Sequence, residues 1–450
     1  MSCPDPNRSM ADVQRRERWG IMAFISPGFA AWVAASILLT GYANLPWFLG
    51  DEWNGWVPPF RADLNPAMPT HLGVEHVNVA ASLVQRGQFA DPFGDATGPT
   101  AWVAPLVPCV LAVLMLLVGE RPEWLAVAFL LVQAVVIGVA CQVVHRFALK
   151  NVSTAIAITA FACVFIPDFK WLFQMTHDAA VLSLGPALLV SGLASGWLRP
   201  AAVSRRIGWG LLGGVMALGN PTYGLAWAVA TLVYFGRSWR GWATAALVSI
   251  VVVFPWTVRN YVVFEKFVPI KSNGGFEAWQ AQLGTERGLV SLSSEMAHPS
   301  RRGTELGDQY RKLGEREFVR RKQAEFFAAV FGSSAGMKAY LERMANRLNA
   351  ATFAYYEAWP IYRYGWFFGL QALLYPLGFL AMLLTIFVRV DVDDRGLAAI
   401  QIFFLVVLLM YVLVSFYHRY AVPLFPVRAF FIGLALQWLV DRRKRQAARE

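Results

Sequence analysis

Between residues 50 and 105 an otherwise apolar chain gathers six carboxylates: Asp51, Glu52, Asp63, Glu75, Asp91 and Asp95. A carboxylate held outside a membrane can take the proton of an attacking hydroxyl, so this is where a general base is to be sought. Glu75 heads the stretch HLGVEHVNVAASLVQRGQF, where Val77, Ala80, Ala81 and Val84 recur at helical spacing and predict an amphipathic helix near 71–87. An acid in a first helical turn also complements the helix dipole without doing any chemistry, and both readings stand. A second acid, Asp178, follows His177 in FQMTHDAAVLSL, just ahead of an apolar run. Thr176 or Asp178 would serve there as an N-cap. Asp178 would otherwise orient an acceptor beside His177, or join other loop acids around a divalent metal ion. No ligand cluster has diagnostic metal spacing, and no other cofactor is expected.

Cations recur at the far ends of apolar runs. Arg259 stands in PWTVRN, Lys271, Ser272 and Asn273 stand in VPIKSNGG, and Arg419 stands in HRY. Positive groups at such points would hold an anion or stabilise negative charge that grows on a leaving group. The glycines after Asn273 would let backbone N–H groups approach an anion. Each of these cations could instead be a snorkelling interfacial anchor. The segment HPSRRGTELGDQYRKLGEREFVRRKQAEFFAAVF reads as a charged amphipathic helix whose apolar side is Leu306, Tyr310, Leu313 and Phe318. Its charges read as a solvated face, with Glu305 and Glu315 as weaker acceptor-contact candidates. Phosphate-binding loops, dinucleotide fingerprints and serine-triad signatures are missing, so use of ATP or NAD is unsupported.

The elements that must position these groups are membrane helices. Apolar residues make up 57% of the chain, charged residues 15%, and the mean hydropathy is +0.44. Ten stretches meet or approach the twenty residues a span needs: 19–41, 123–145, 151–167, 179–198, 207–219, 222–236, 241–257, 366–389, 396–416 and 422–440. Two of them form a hairpin split at Asn220-Pro221. With the N-terminus in the cytoplasm, the short basic connections all fall on that side, as the positive-inside rule asks. The net charge of +11 is therefore a mark of topology and not of nucleic-acid binding. The run 101–118, with Pro105 and Pro108, is expected as a re-entrant or interfacial helix on the outer side. The division predicted is a cytoplasmic tail at 1–18, a membrane module at 19–257 containing an outer loop at 42–122, a large outer loop at 258–365, C-terminal membrane helices at 366–440 and a basic cytoplasmic tail at 441–450. Few ionisable residues fall within the spans and no inverted repeat is visible, which weighs against a transporter.

The acid-headed "A-x-x-L-x-x-x-G-x-F" run, with "PFG…TGPTAW…P", "PW-x-x-RN…F…VPIKSN-x-G" and a late "RY…P…P", resembles the GT-C glycosyltransferases, in particular bacterial relatives of the protein mannosyltransferases and of the lipid A aminoarabinose transferase. The matching segments, 75–105, 254–275 and 418–426, run in the family's order. The resemblance implies an all-α polytopic fold of about ten transmembrane helices plus a re-entrant or interfacial helix, with two long outer loops. It implies a polyprenyl-phosphate sugar donor, membrane lipids as surroundings, and an acceptor on the outer face of the cytoplasmic (inner) membrane. The family's general base falls on Glu75 and its second acid on Asp178. Arg259, Lys271, Ser272, Asn273 and Arg419 then face the donor phosphate. Many relatives carry an acidic pair where this chain has Leu72-Gly73, so Glu75 stands alone and Asp51, Glu52 and Asp63 remain rival acids, with His177 a further acceptor contact. A lipid-linked sugar flippase or other transporter is the alternative class, and a non-enzymatic membrane subunit a third.

Overall fold

A computed structural model describes residues 27–50, 65–68, 71–94, 97–198, 202–291, 294, 296–301, 303–356 and 365–450. Among these the protein is helical, with only isolated bridges at Ala90–Pro99 and Leu289–Phe416. In chain order the helices are α1 (Pro27–Ala43), α2 (Val74–Arg86), α3 (Leu106–Val118), α4 (Pro122–Ala148), α5 (Thr154–Gln174), α6 (Asp178–Ala194), α7 (Val203–Gly219) and α8 (Pro221–Phe235). There follow α9 (Trp239–Phe264), α10 (Gly274–Leu283), α11 (Glu305–Phe331), α12 (Ser334–Thr352), α13 (Gly365–Phe387), α14 (Asp394–Leu413) and α15 (His418–Ala447). Local chemistry sets many of the starts. Ser153, Asn220, Thr304, Ser333 and Asp393 each accept a backbone N–H from the first turn of α5, α8, α11, α12 and α14. Pro122 and Pro221 occupy first helical positions, where no N–H is needed.

Among the described residues six helices, α4, α5, α9, α13, α14 and α15, are long and apolar enough to cross a membrane. Each of the ten predicted stretches contains a helix in its described part. However, α1 and α6 are shorter apolar helices, and α7 and α8 form the expected hairpin, with the chain extended at Asn220. Helix α7 lies very close to α9: a Cβ on Gly214 would stand 2.5 Å from Val252, so only glycine permits the approach. The run 101–118 yields α3, thirteen residues or roughly 20 Å long, well short of a hydrocarbon core of about 30 Å.

Interhelical contacts define two opposite ends of the bundle. On one, Asn44 after α1 donates to Phe173 O at 2.8 Å, and Tyr223 near the start of α8 donates to Tyr420 O at 3.1 Å. On the other, Asn151 donates to Asp391 at 2.6 Å and Ser153 N to Gln437 at 3.3 Å. Arg146, Arg205, Arg206, Arg237, Arg240, Arg389, Arg395 and the basic end of α15 all belong to the second end.

The two segments expected on the outer side form one packed unit in their described parts. Val79 of α2, Phe89, Phe93, Trp102 and Val103 share a small core with Phe276 of α10 and Tyr310, Phe318 and Val319 of α11. The apolar side predicted for α11 is therefore in place, with Leu306 and Leu313 partly buried against the same core. Two expectations need correction. Helix α9 continues past residue 257 to Phe264, so Arg259 lies inside a helix. Helix α11 breaks at Gly314, whose φ of 72° turns the next residue, Glu315, inward to 4% exposure. Among the ionisable groups of the apolar helices, Asp168 of α5 is fully buried against His418 (3.3 Å) and Arg428 of α15. No pattern in the sequence announces that triad, because its partners are some 250 residues apart.

Candidate active site

A cavity of about 400 Å³ opens at the end of the bundle opposite the basic connections, between the bundle and the outer unit. Its walls bring together Glu75, His76, His177, Asp178, Lys271, Asn273, Glu277, His298, Arg301 and Arg419, with Trp102, Tyr411, Tyr417 and Tyr420. Helix α2 delivers Glu75 from its first turn. Its N-cap is Gly73 at φ 77°, where a Cβ would sit 3.3 Å from the His76 ring and 3.7 Å from His177. The Leu72-Gly73 step thus lets the head of α2 come close beside His177.

Glu75 Oε1 lies 3.8 Å from His298 Nδ1. Burial pushes the Glu75 carboxyl upward, but the nearby His298 and His76, the backbone and Arg419 outweigh it, and the group titrates below the usual carboxylate range. His76 is lowered to about 4, chiefly because burial penalises its charged form; Asp178 and Glu75 oppose this without cancelling it. The 3.7 Å contact of His76 with Asp178 therefore joins a neutral ring to a carboxylate near neutral pH.

Asp178 is the first helical residue of α6, and the cap is His177. Thr176 donates instead to Pro66 O at 2.9 Å, tying the head of α6 to the first outer segment. An Arg419 Nη1–H points at His177 Nε2, and the other ring nitrogen meets Asp178 Oδ1. Arginine has no acceptor, so Nε2 accepts and Nδ1 carries the proton to the carboxylate. The result is a guanidinium–imidazole–carboxylate chain. Burial would raise the Asp178 carboxyl, yet His177, Arg419 and His76 hold it far below the ordinary range. On the opposite wall, Glu277 accepts from Asn273 at 3.1 Å and from Tyr420 at 3.3 Å. Lys271 and Arg301 also line the cavity, and neither forms an ion pair among the described residues.

Of the expected site residues, Glu75, His177, Asp178, Lys271, Asn273 and Arg419 line this one cavity. Arg259 does not. Its guanidinium donates to Thr100 O and Phe89 O, both at 2.6 Å, and lies over the Phe89 and Trp256 rings, so it clamps the first outer segment to α9. Ser272 also turns away: its hydroxyl donates to Glu315 at 2.6 Å. That buried carboxylate further accepts from Thr100, Ala101 N and Tyr310, so it is a joint and not an acceptor contact. Glu305 accepts from Gln309 on exposed α11 surface and is not in the cavity wall. Asp51, Glu52 and Asp63 lie outside the described residues.

The sequence reading passed over His76, Glu277, His298, Arg301, Tyr411 and Tyr420. His76 adjoins Glu75, and Glu277 follows the SNGG turn by two residues, so both were within reach of a closer look. His298 and Arg301 sit in HPSR, whose approach to Glu75 depends on the tertiary fold. The divalent-ion expectation meets no ready ligand set, since no group of three or more His, Cys, Asp or Glu side chains is arranged to hold a metal among the described residues.

No family model, curated protein or solved structure matches this chain.

Proposed function

We propose that the protein is a membrane glycosyltransferase of GT-C type that moves a sugar from a polyprenyl-phosphate carrier to an acceptor hydroxyl. The observation that carries this reading is the single cavity in which Glu75 and Asp178 meet Lys271, Arg301 and Arg419. Glu75 is ionised at neutral pH and takes the acceptor's proton as its oxygen attacks the anomeric carbon. The sugar–phosphate bond breaks, and the electron pair leaves with the carrier as polyprenyl phosphate. Lys271 and Arg301, which form no ion pair among the described residues, stabilise that growing charge, and Arg419 adds to it while the His177–Asp178 chain fixes its direction. With ten crossings and both termini in the cytoplasm, the cavity would face the outer side of the inner membrane, where its carrier's phosphate would sit at headgroup depth.

Reconstitution into vesicles with a radiolabelled polyprenyl-phosphate sugar and an extract of envelope lipids and glycans tests the reading. Label should pass to a product insoluble in the donor's extraction solvent. Movement of the donor across the bilayer without transfer would replace this proposal with a flippase. Neither event, with donor binding also undetectable, would remove the chemistry altogether.

A further inference from the structure

The outer segment 258–365 contains a helix that descends below the outer end of the bundle. Tyr340 of α12 donates to Leu413 O at 2.9 Å and Arg347 to Val412 O at 2.6 Å, which sets the middle of α12 level with the cavity-side end of α14. The helix then runs on to Thr352, roughly 8 Å further. Its last turn meets α13 well inside that apolar helix: Tyr375 donates to Ala351 O at 3.3 Å, and the Phe353 ring lies 5.3 Å from Phe379.

The distribution of charge follows the same gradient. Lys338 and Glu342, exposed and 4.0 Å apart, belong to the first half of α12. Beyond Arg343 the remaining charge is Arg347, which is 1% exposed and turned inward. Outward-facing Leu341, Leu348 and Phe353 are 53%, 49% and 48% exposed. This stripe continues onto α13, where Leu373 and Leu380 are exposed on a helix of membrane length. This face is uncharged, with exposed Asn346 and Asn349 beside its apolar side chains, and where it merges with a membrane-spanning surface it fits the boundary between headgroups and acyl chains.

We propose that the C-terminal half of α12 is inserted into the cavity-side leaflet, with Leu348 and Phe353 against lipid and Leu341, just ahead of Glu342, at the upper edge of the inserted part. Helix α12 then anchors the outer unit to the bilayer as well as to the bundle. Its exit touches one wall of the cavity, since Tyr356 donates to Val290 O, while the Tyr355 ring packs at 4.8 Å on the buried His418, which lies between the lining residues Tyr417 and Arg419. The inference does not depend on the transfer reaction.

The test uses the full chain with its four cysteines replaced by alanine, carrying one new cysteine labelled with bimane. Leu348→Cys, Phe353→Cys, Leu341→Cys and, as the charged-half control, Lys338→Cys are reconstituted in phosphatidylcholine–phosphatidylglycerol vesicles. Doxyl-labelled phospholipid should quench the labels at 348 and 353 by roughly twofold while aqueous iodide scarcely reaches them, with the reverse order at 338. Iodide quenching at 348 and 353 as strong as at 338 would overturn the proposal. So would protection from both quenchers together with cross-linking between copies, which would make the stripe a protein interface. Leu341→Cys supplies the same readout should either deeper variant fail to assemble.

Discussion

Glu75 and Asp178 share a cavity but not an electrical environment. Asp178 is bound into the His177–Arg419 chain, whereas Glu75 faces His298 at 3.8 Å and retains capacity to accept from a ligand. Glu75→Gln should lower turnover by about 10²-fold or more with little change in thermal stability, the scale of a lost general base. Asp178→Asn should weaken donor use by loosening Arg419, seen as a smaller loss of rate. Near-normal turnover of Glu75→Gln would move the base elsewhere. A second expectation follows from His76. Its folded-state pKa, about 4, lies below the unfolded value near 6.5, so the unfolded chain binds the extra proton first as the medium is acidified. Stability should therefore fall between pH 6.5 and 4, by about 1–3 kcal/mol, and level off below. His76→Gln should flatten that slope in thermal melts in detergent. At this scale the sequence was readable where a residue's neighbours were local, as with Glu75 at the head of α2. It misled where partners were remote: nothing near Arg259 says that its guanidinium is taken by Thr100 and Phe89 carbonyls.

Helices were legible because apolar periodicity and caps are local properties, and so α2, α3 and the α7–α8 hairpin fell close to their expected places. How the outer elements join was not legible, because the joint is made by Glu315, four donors and a left-handed glycine spread across 215 residues. Glu315→Gln should destabilise the protein by about 1–3 kcal/mol, since one amide N–H then faces donors instead of accepting from them. Limited proteolysis should show faster cleavage between α10 and α11. The contrast between the two cations of the VRN–VPIK stretch is sharper still. Arg259→Ala should lower the melting temperature and leave lipid-phosphate binding intact, because its bonds are to backbone carbonyls. Lys271→Ala should do the opposite, weakening that binding by roughly tenfold to a hundredfold through loss of a charged contact of about 1.5–3 kcal/mol. Equal melting temperatures for wild type and Arg259→Ala would refute the clamp.

For the whole molecule, the basic short connections and the cavity occupy opposite ends of one bundle. Loop composition had anticipated that separation, because positive charge marks the side on which short connections are retained. Helix length within the bundle was less predictable. Packing against neighbours lets α6, α7 and α8 stay short, and the hydropathy of an isolated stretch carries no record of those neighbours. Under the ten-crossing arrangement, an impermeant thiol reagent added to right-side-out vesicles should modify Ser300→Cys and spare Arg445→Cys in a cysteine-free chain. Modification of both from the same side would require an even number of crossings between them and a redrawn topology.

The cavity wall is assembled from positions 73 to 420, and this has a consequence in time. Roughly 220 residues separate Glu75 from His298, so at about 5–20 residues per second Glu75 waits some 10–45 s on the ribosome for the His298 ring. Arg419 is made later still and reaches its place only when α15 docks. A nascent chain therefore holds Glu75 and Asp178 without the cations that share the finished cavity. Synthesis order alone keeps the cavity incomplete until the last helix has closed the bundle.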